Sequence, residues 1–163
     1  MTISKILETI SAYRTEYITV TGGEPLAQQA CHPLLTALCD RYRHVSIETS
    51  GALCVANIDP RVRKIIDIKT PDSGESNKNL LSNLDYLQPQ DEVKFVIGSH
   101  ADFLWAQSLI AQDPRLQQAR LLFSPIYEQV PLRDLAEWVL NAGLNVRVQA
   151  QLHKIIWGDE PGR

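Results

Sequence analysis

Short apolar runs alternate with amphipathic segments along most of the chain. Five segments have the spacing of apolar residues that is typical of helices: residues 3–13, 26–42, 80–87, 100–111 and 132–142. Six shorter runs are typical of strands: residues 17–21, 44–50, 64–69, 92–97, 120–124 and 144–153. Parallel strands need crossover connections, which helices usually provide, so this order predicts an α/β fold with a mainly parallel sheet. We expect a single domain over residues 1–163, with a C-terminal tail from about residue 150.

Polar residues follow nearly every predicted strand at its carboxyl end. In chain order they are Thr21, Gly22, Gly23 and Glu24, then Glu48 and Ser50, then Asp67 and Lys69, then Ser124, and finally Gln149, Gln151 and His153. Ligand sites of α/β sheets and barrels gather at the carboxyl ends of the strands. The distribution therefore predicts one binding site at this edge of the sheet.

The last predicted strand alternates polar and apolar residues. Arg147, Gln149, Gln151 and His153 are polar at every second position, with apolar residues between them. A period of two places the two sets on opposite faces of a strand. One interpretation is a polar face that lines a ligand-binding lumen, and the other is an edge strand with a solvated face.

The turn TGGEP after the first strand is the most unusual local sequence. Its two glycines, Gly22 and Gly23, allow positive φ and a close approach of a ligand to the backbone. Glu24 can accept hydrogen bonds from an ammonium group, and Pro25 suits the first turn of a helix. The alternative is an ordinary strand-to-helix turn in which Glu24 favours the helix amino terminus. The turn matches neither common phosphate-loop pattern, so nucleotide phosphate binding at this turn is not indicated.

Charge and cysteine content narrow the function classes. A formal net charge of −3 argues against a dedicated nucleic-acid or membrane-surface protein, and no apolar run approaches the roughly 18 residues of a spanning helix. Cys31, Cys39 and Cys54 are too widely separated for a CxxC-type metal cluster, and they provide no paired disulfide framework. We expect a cytoplasmic protein whose own residues in this chain hold no metal.

Several motifs together resemble one known family. TGGEP is similar to the S-adenosyl-L-methionine (SAM) motif of radical SAM enzymes. With IETSG, DIKTPDSGE, KFVI, FSPIY and the ending VQAQLHKIIWGDEPGR, the chain resembles the 7-carboxy-7-deazaguanine synthases from residue 17 to residue 163. The resemblance implies a partial (β/α) radical SAM barrel whose first strand is missing. Activating enzymes of glycyl-radical proteins share TGGEP, but we do not expect them to end in QLHKIIWG.

The resemblance also implies a reaction and its cofactors. Members of the family are carbon–nitrogen lyases of queuosine biosynthesis, which convert 6-carboxy-5,6,7,8-tetrahydropterin to 7-carboxy-7-deazaguanine with loss of ammonia. A 4Fe–4S cluster cleaves SAM reductively, Mg²⁺ assists the rearrangement, and an electron donor such as flavodoxin or ferredoxin is implied as partner.

Matching motifs carry the family's binding residues onto this sequence. The residues implied to bind SAM are Gly22, Gly23, Glu24, Glu48, Ser50, Asp67, Lys69, Ser124 and Tyr127. The residues implied to face the pterin substrate are Thr21, Gln149, Gln151, His153 and, in the tail, Arg163. The alternative for Asp67 and Lys69 is a salt bridge with each other, and the alternative for His153 is a core histidine. Lys94 is either a cation in the lumen or a surface lysine.

The sequence departs from the family in one contiguous part. It contains no CxxxCxxC loop, and the first barrel strand and the magnesium-binding residue that follows the loop are missing with it. We expect a truncated enzyme that is inactive alone, with about fifty further residues upstream. The alternative is a cluster-less module that binds SAM or the pterin without catalysis. A missing strand leaves unpaired backbone groups at the sheet edge, which predicts a homodimer.

Overall fold

The fold is built on a six-stranded sheet in which every strand is parallel to its neighbours. The computed structural model describes residues 1–158, except for the side chain of His153. The strands follow one another across the sheet in chain order: β1 (Tyr17–Val20), β2 (His44–Thr49), β3 (Arg63–Ile68), β4 (Glu92–Ile97), β5 (Arg120–Pro125) and β6 (Arg147–Val148). This confirms the predicted α/β class. Within residues 1–158 the sheet is open, because β1 pairs only with β2 and β6 only with β5.

Helices connect most of the strands. The α-helices are α1 (Ile3–Ile10), α2 (Cys31–Cys39), α3 (His100–Gln112), α4 (Pro114–Gln118), α5 (Leu132–Ala142) and α6 (Leu152–Trp157). Four 3₁₀ segments cover Pro25–Ala27, Pro71–Ser73, Ser76–Lys78 and Leu81–Tyr86. The single helix predicted over residues 26–42 is wrong, since a 3₁₀ turn precedes α2 there. No helix among the described residues has the length and apolar character needed to cross a bilayer.

The two faces of the sheet differ in polarity. Apolar residues at alternate positions, such as Ile47, Ile66, Phe95 and Phe123, are fully or almost fully buried. They belong to two clusters that pack the sheet against residues from α1 to α5. Because strand side chains alternate between faces, the polar residues between them all lie on the opposite face. That polar face carries the candidate sites.

The structure corrects the prediction for residues 144–153. Only Arg147 and Val148 form strand β6, and the last sheet bond is from the Gln149 amide to the Phe123 carbonyl, at 2.8 Å. The chain then turns into α6, whose amides bond to carbonyls four residues earlier, as from Ile155 to Gln151 at 3.3 Å. Gln151 and His153 therefore do not continue one strand face with Arg147. With β5 as its only described neighbour, the segment gains more backbone hydrogen bonds as a helix.

Candidate functional site

A polar cleft of about 110 Å³ lies at the carboxyl ends of β1 to β4. Six of the predicted site residues line it: Thr21, Gly23, Glu48, Ser50, Asp67 and Lys69. Thr49, Ile65 and Lys94 complete the lining. The sheet register brings these residues together, since Glu48 is paired with Ile65 and Asp67 with Lys94, all on the polar face.

The glycine turn leaves its backbone accessible beside this cleft. Gly22 and Gly23 have φ angles of 101° and 46°, in the left-handed region that side chains disfavour. A Cβ placed on either glycine would meet no atom within 4 Å. The glycines are therefore required for the backbone conformation, and the space beside them is open to a ligand.

The Glu24 carboxylate joins the ends of β1 and β2. It accepts hydrogen bonds from the Leu26 amide at 3.0 Å, the Thr49 hydroxyl at 2.9 Å, the Ser50 amide at 2.8 Å and the Ser50 hydroxyl. Burial raises the pKa of Glu24, but the hydrogen bonds from Ser50, Leu26 and Thr49 outweigh it and hold the pKa below its usual value. Glu24 is thus an ionised bridge that fixes the glycine turn against β2. Direct binding of a ligand ammonium by Glu24 stays a prediction.

Two ion pairs balance the charge of the cleft. Lys69 Nζ lies 2.6 Å from Asp67 Oδ2, which matches the alternative of a mutual salt bridge, and Lys94 Nζ lies 3.6 Å from Glu48 Oε2. Asp67 Oδ1 is buried and has no hydrogen-bond partner within the described part of the chain. A buried acceptor without a donor is uncommon in folded proteins. The cleft therefore offers charges of both signs and one free acceptor.

The other predicted residues lie outside this cleft. Tyr127 and Gln151 line a separate, mainly apolar cavity of about 280 Å³, where Lys154 Nζ lies 5.1 Å from the centre of the Tyr127 ring. Ser124 is buried near the end of β5, and Gln149 is exposed. Arg163 and the His153 side chain are outside the described residues. The structure thus brings together the predicted groups of β1 to β3, and places those of β5 and α6 elsewhere.

Two polar residues of the cleft, Thr49 and Lys94, were not predicted as site residues. Thr49 is 2% exposed and its hydroxyl donates a hydrogen bond to Glu24. Its position at the end of a predicted strand is the feature of the sequence that indicates a site residue. For Lys94 the sequence alone allows two interpretations, a cation in the lumen or a surface lysine. The alternation of Val93 and Phe95 around Lys94 indicates the polar face, but the pairing with Glu48 depends on the sheet.

The cysteines do not suit a metal cluster. Within residues 1–158 no group of three His, Cys, Asp or Glu side chains can hold a metal ion. Cys31 is buried, Cys39 half-buried and Cys54 exposed. Burial, with a smaller effect of the Glu24 charge, raises the pKa of the Cys31 thiol, which disfavours the thiolate that binds iron.

Comparison with known proteins defines the class and the family. The solved structure of QueE from Escherichia coli matches with a TM-score of 0.69 at 22% identity, over 91% of this chain and 64% of that one. The open, all-parallel six-stranded sheet with a cleft at its carboxyl end defines an α/β protein with a fold similar to that of QueE. No family model matches the sequence. The 7-carboxy-7-deazaguanine synthase of Chlorobaculum tepidum is 45% identical over 98% of this chain and 74% of the relative, and that of Koribacter versatilis is 38% identical over 88% and 70%. The chain belongs to the 7-carboxy-7-deazaguanine synthase family.

Proposed function

We propose that the chain serves the reaction for which its relatives are named. In that reaction, radical SAM chemistry converts 6-carboxy-5,6,7,8-tetrahydropterin to 7-carboxy-7-deazaguanine with loss of ammonia, as a carbon–nitrogen lyase step of queuosine biosynthesis. The observation that carries the proposal is the cleft at the carboxyl ends of β1 to β4, beside the TGGEP turn.

The cleft has donors and acceptors for the polar groups of SAM, and its volume of about 110 Å³ encloses only part of the molecule. SAM carries an ammonium, a carboxylate, a sulfonium and ribose hydroxyls, and in the proposed reaction it is the source of the deoxyadenosyl radical. The free Asp67 Oδ1 can accept a hydrogen bond from a hydroxyl or an ammonium, while Lys69 and Lys94 can pair with the carboxylate. The open backbone of Gly22 and Gly23 can bond to the methionyl part.

The remaining assignments extend this site. We assign Glu24 to holding the glycine turn, and Glu48, Ser50, Ser124 and Tyr127 to further parts of the SAM pocket. We assign Thr21, Gln149, Gln151, His153 and Arg163 to the pterin. An electron donor and a homodimer formed at the open sheet edge belong to the same proposal.

Within residues 1–158, the side chains that the structure describes do not fit a 4Fe–4S cluster or a magnesium site. For this reason we assign no step of the reaction to a cluster or to Mg²⁺ held by residues 1–158. The same observation favours a second candidate function, in which the chain is a module that binds SAM or the pterin without catalysis.

Calorimetric titration with SAM tests the proposed site. We expect saturable binding, and we expect Asp67→Asn to weaken it about tenfold, because a hydrogen bond to a charged group contributes roughly 1.5–3 kcal/mol. Asp85→Asn is the matched control, since Asp85 pairs with Arg115 away from the cleft. Absence of SAM binding would overturn the enzyme and the SAM-binding form of the module, and would leave only a module that binds the pterin.

Product analysis then separates the two functions. The protein is incubated anaerobically with iron, sulfide, a reductant, SAM and the pterin, and 7-carboxy-7-deazaguanine is sought by mass spectrometry. Formation of the product supports the enzyme and contradicts our interpretation of the cysteines, whereas SAM binding without product supports either the module or an enzyme that is inactive alone.

A further inference from the structure

A second cavity lies on the polar face of the sheet, at the opposite ends of the strands from the SAM cleft. It measures about 310 Å³, which is within the range of small-molecule pockets. Six of the residues that line it are two aromatic residues, Tyr17 and His44, and four arginines: Arg43, Arg61, Arg63 and Arg120. His44, Arg63 and Arg120 are the first residues of β2, β3 and β5.

The two sites are separate although they share one face. Arg63 and Asp67 belong to β3, four positions apart, and a strand rises about 3.3 Å per residue. Their backbones are therefore roughly 13 Å apart along the strand. Arg63 lies at the level of Ser46 on β2, and Ser46 at the level of Thr19 on β1, so β1 to β3 all border the cavity.

The cavity has an excess of positive charge. Arg61 is paired with Asp40 and Asp59, each at 2.8 Å, and Arg63 is paired with Glu92. Arg43 and Arg120 have no ion pair or hydrogen bond from their side chains within residues 1–158, and no described residue that lines the cavity is acidic.

Glu92 cannot neutralise this excess. The side chain of Glu92 is 4% exposed, and the oxygen that bonds to Arg63 also accepts from Arg147 Nη2 at 3.1 Å. One carboxylate thus serves two guanidinium groups, and Arg120, which is the register partner of Glu92 on β5, has no ion pair with it within the described chain.

Arg63 also has an unused donor. Its Nε is buried and has no hydrogen-bond acceptor among residues 1–158, because Nη2 makes the contact with Glu92. Buried donors normally have a partner, so this position calls for an acceptor from outside the described protein.

We propose that this cavity binds a small phosphorylated anion. Guanidinium groups present planar, paired donors that match the oxygens of phosphate, and several of them around one concave site are typical of phosphoryl recognition. Arg43 and Arg120 supply the uncompensated charge, and Arg63 Nε supplies a preplaced donor. The Tyr17 and His44 rings stack at 4.5 Å beside the arginines and form an aromatic wall.

Titration with inorganic pyrophosphate tests the proposal. Binding is followed by calorimetry and by the melting temperature, with potassium chloride added to keep the ionic strength equal. We expect saturable binding, and we expect the double variant Arg43→Gln/Arg120→Gln to bind at least about tenfold more weakly. Both arginines are exposed and unpaired within the described chain, so the melting temperature of the variant without ligand should equal that of the parent protein.

A control with the same change of net charge separates a site from general attraction. In Lys5→Gln/Arg133→Gln, both altered residues are exposed on α1 and α5. We expect this control to keep the parent affinity. An equal loss in both double variants, or the absence of saturable binding to the parent protein, would overturn the proposal. Since SAM is absent from the assay, its outcome is independent of the proposed enzyme function.

Discussion

Replacing Glu24 by alanine tests whether this carboxylate holds the TGGEP turn in place. The substitution removes the acceptor of four donors: the amides of Leu26 and Ser50 and the hydroxyls of Thr49 and Ser50. Thr49 is the last residue of β2 and Ser50 follows it, so their bonds to Glu24 connect the end of β1 to the end of β2 at the edge of the cleft. The loss should therefore reduce both stability and SAM affinity.

The magnitude follows from the number of donors and from partial exposure. Hydrogen bonds to a charged group contribute roughly 1.5–3 kcal/mol each, but Glu24 is half-buried and water can replace some of them. We therefore expect a loss of about 3 kcal/mol in the free energy of unfolding. For a chain of this length, 1 kcal/mol corresponds to about 2–4 °C, so the melting temperature should fall by roughly 6–12 °C.

Thermal unfolding as a function of pH gives the second part of this test. The pKa of Glu24 is lower in the folded than in the unfolded protein, so its stabilisation is complete above the unfolded value and is lost as pH falls through the folded value. The difference in melting temperature between the parent and Glu24→Gln should be constant from about pH 6 to pH 8 and shrink below about pH 4.5.

Two results would contradict this account of Glu24. One is a difference in melting temperature between the parent protein and Glu24→Gln that is as large at about pH 3.5 as at neutral pH. The other is a destabilisation by Glu24→Ala no larger than that by Glu16→Ala, since Glu16 is exposed and its side chain has no partner within residues 1–158.

Three further predictions concern buried charge and the cysteines. Asp102→Ala should lower the free energy of unfolding by about 3 kcal/mol, because buried Asp102 accepts hydrogen bonds from the Thr70 hydroxyl at 2.9 Å and from the Asp72 and Gly98 amides at 3.1 Å. Thr70 directly follows Lys69 of the cleft, so the substitution should also weaken SAM binding. Unchanged urea unfolding would contradict this prediction. Asp91→Ala should cost about 3–5 kcal/mol in the same assay, because it leaves the Lys64 ammonium, 2.7 Å away and buried, without its counter-charge. Anaerobic reconstitution with iron and sulfide should not produce the broad visible absorption of a 4Fe–4S cluster, and a stoichiometric cluster on protein thiolates would refute our interpretation of the cysteines.

The arrangement of strands and helices was predictable where local pattern and long-range packing agree. Helix α5 has the predicted bounds, because its apolar spacing and Gly143 at its end both favour them. The segment 26–42 was predicted as one helix because its apolar spacing is helical throughout, whereas Pro33 indicates that a helix begins close to that residue. Proline fits the first turn of a helix, and α2 begins at Cys31, two residues earlier.

The candidate cleft was predictable from strand ends but its internal contacts were not. Asp67 and Lys69 share a face because they are two residues apart on one extended segment, which the sequence alone indicates. Glu24 and Ser50 are 26 residues apart, and their contact exists only because β1 pairs with β2 in one register. The same dependence on register explains why the partner of Lys94 could not be identified beforehand.

The polar face combines two charge patterns that should act independently. At the carboxyl ends, Asp67 and Lys69, and Glu48 and Lys94, compensate each other, which suits a ligand with charges of both signs. At the amino ends, arginines outnumber the acids that contact them, which suits an anion. The separation of roughly 13 Å along β3 exceeds the Debye length of about 8 Å at physiological salt, so the field of one group of charges is largely screened at the other. Arg43→Gln/Arg120→Gln should therefore leave SAM affinity unchanged, and Asp67→Asn should leave pyrophosphate affinity unchanged. A change in the opposite site would mean that the two ends of the sheet are coupled through its structure.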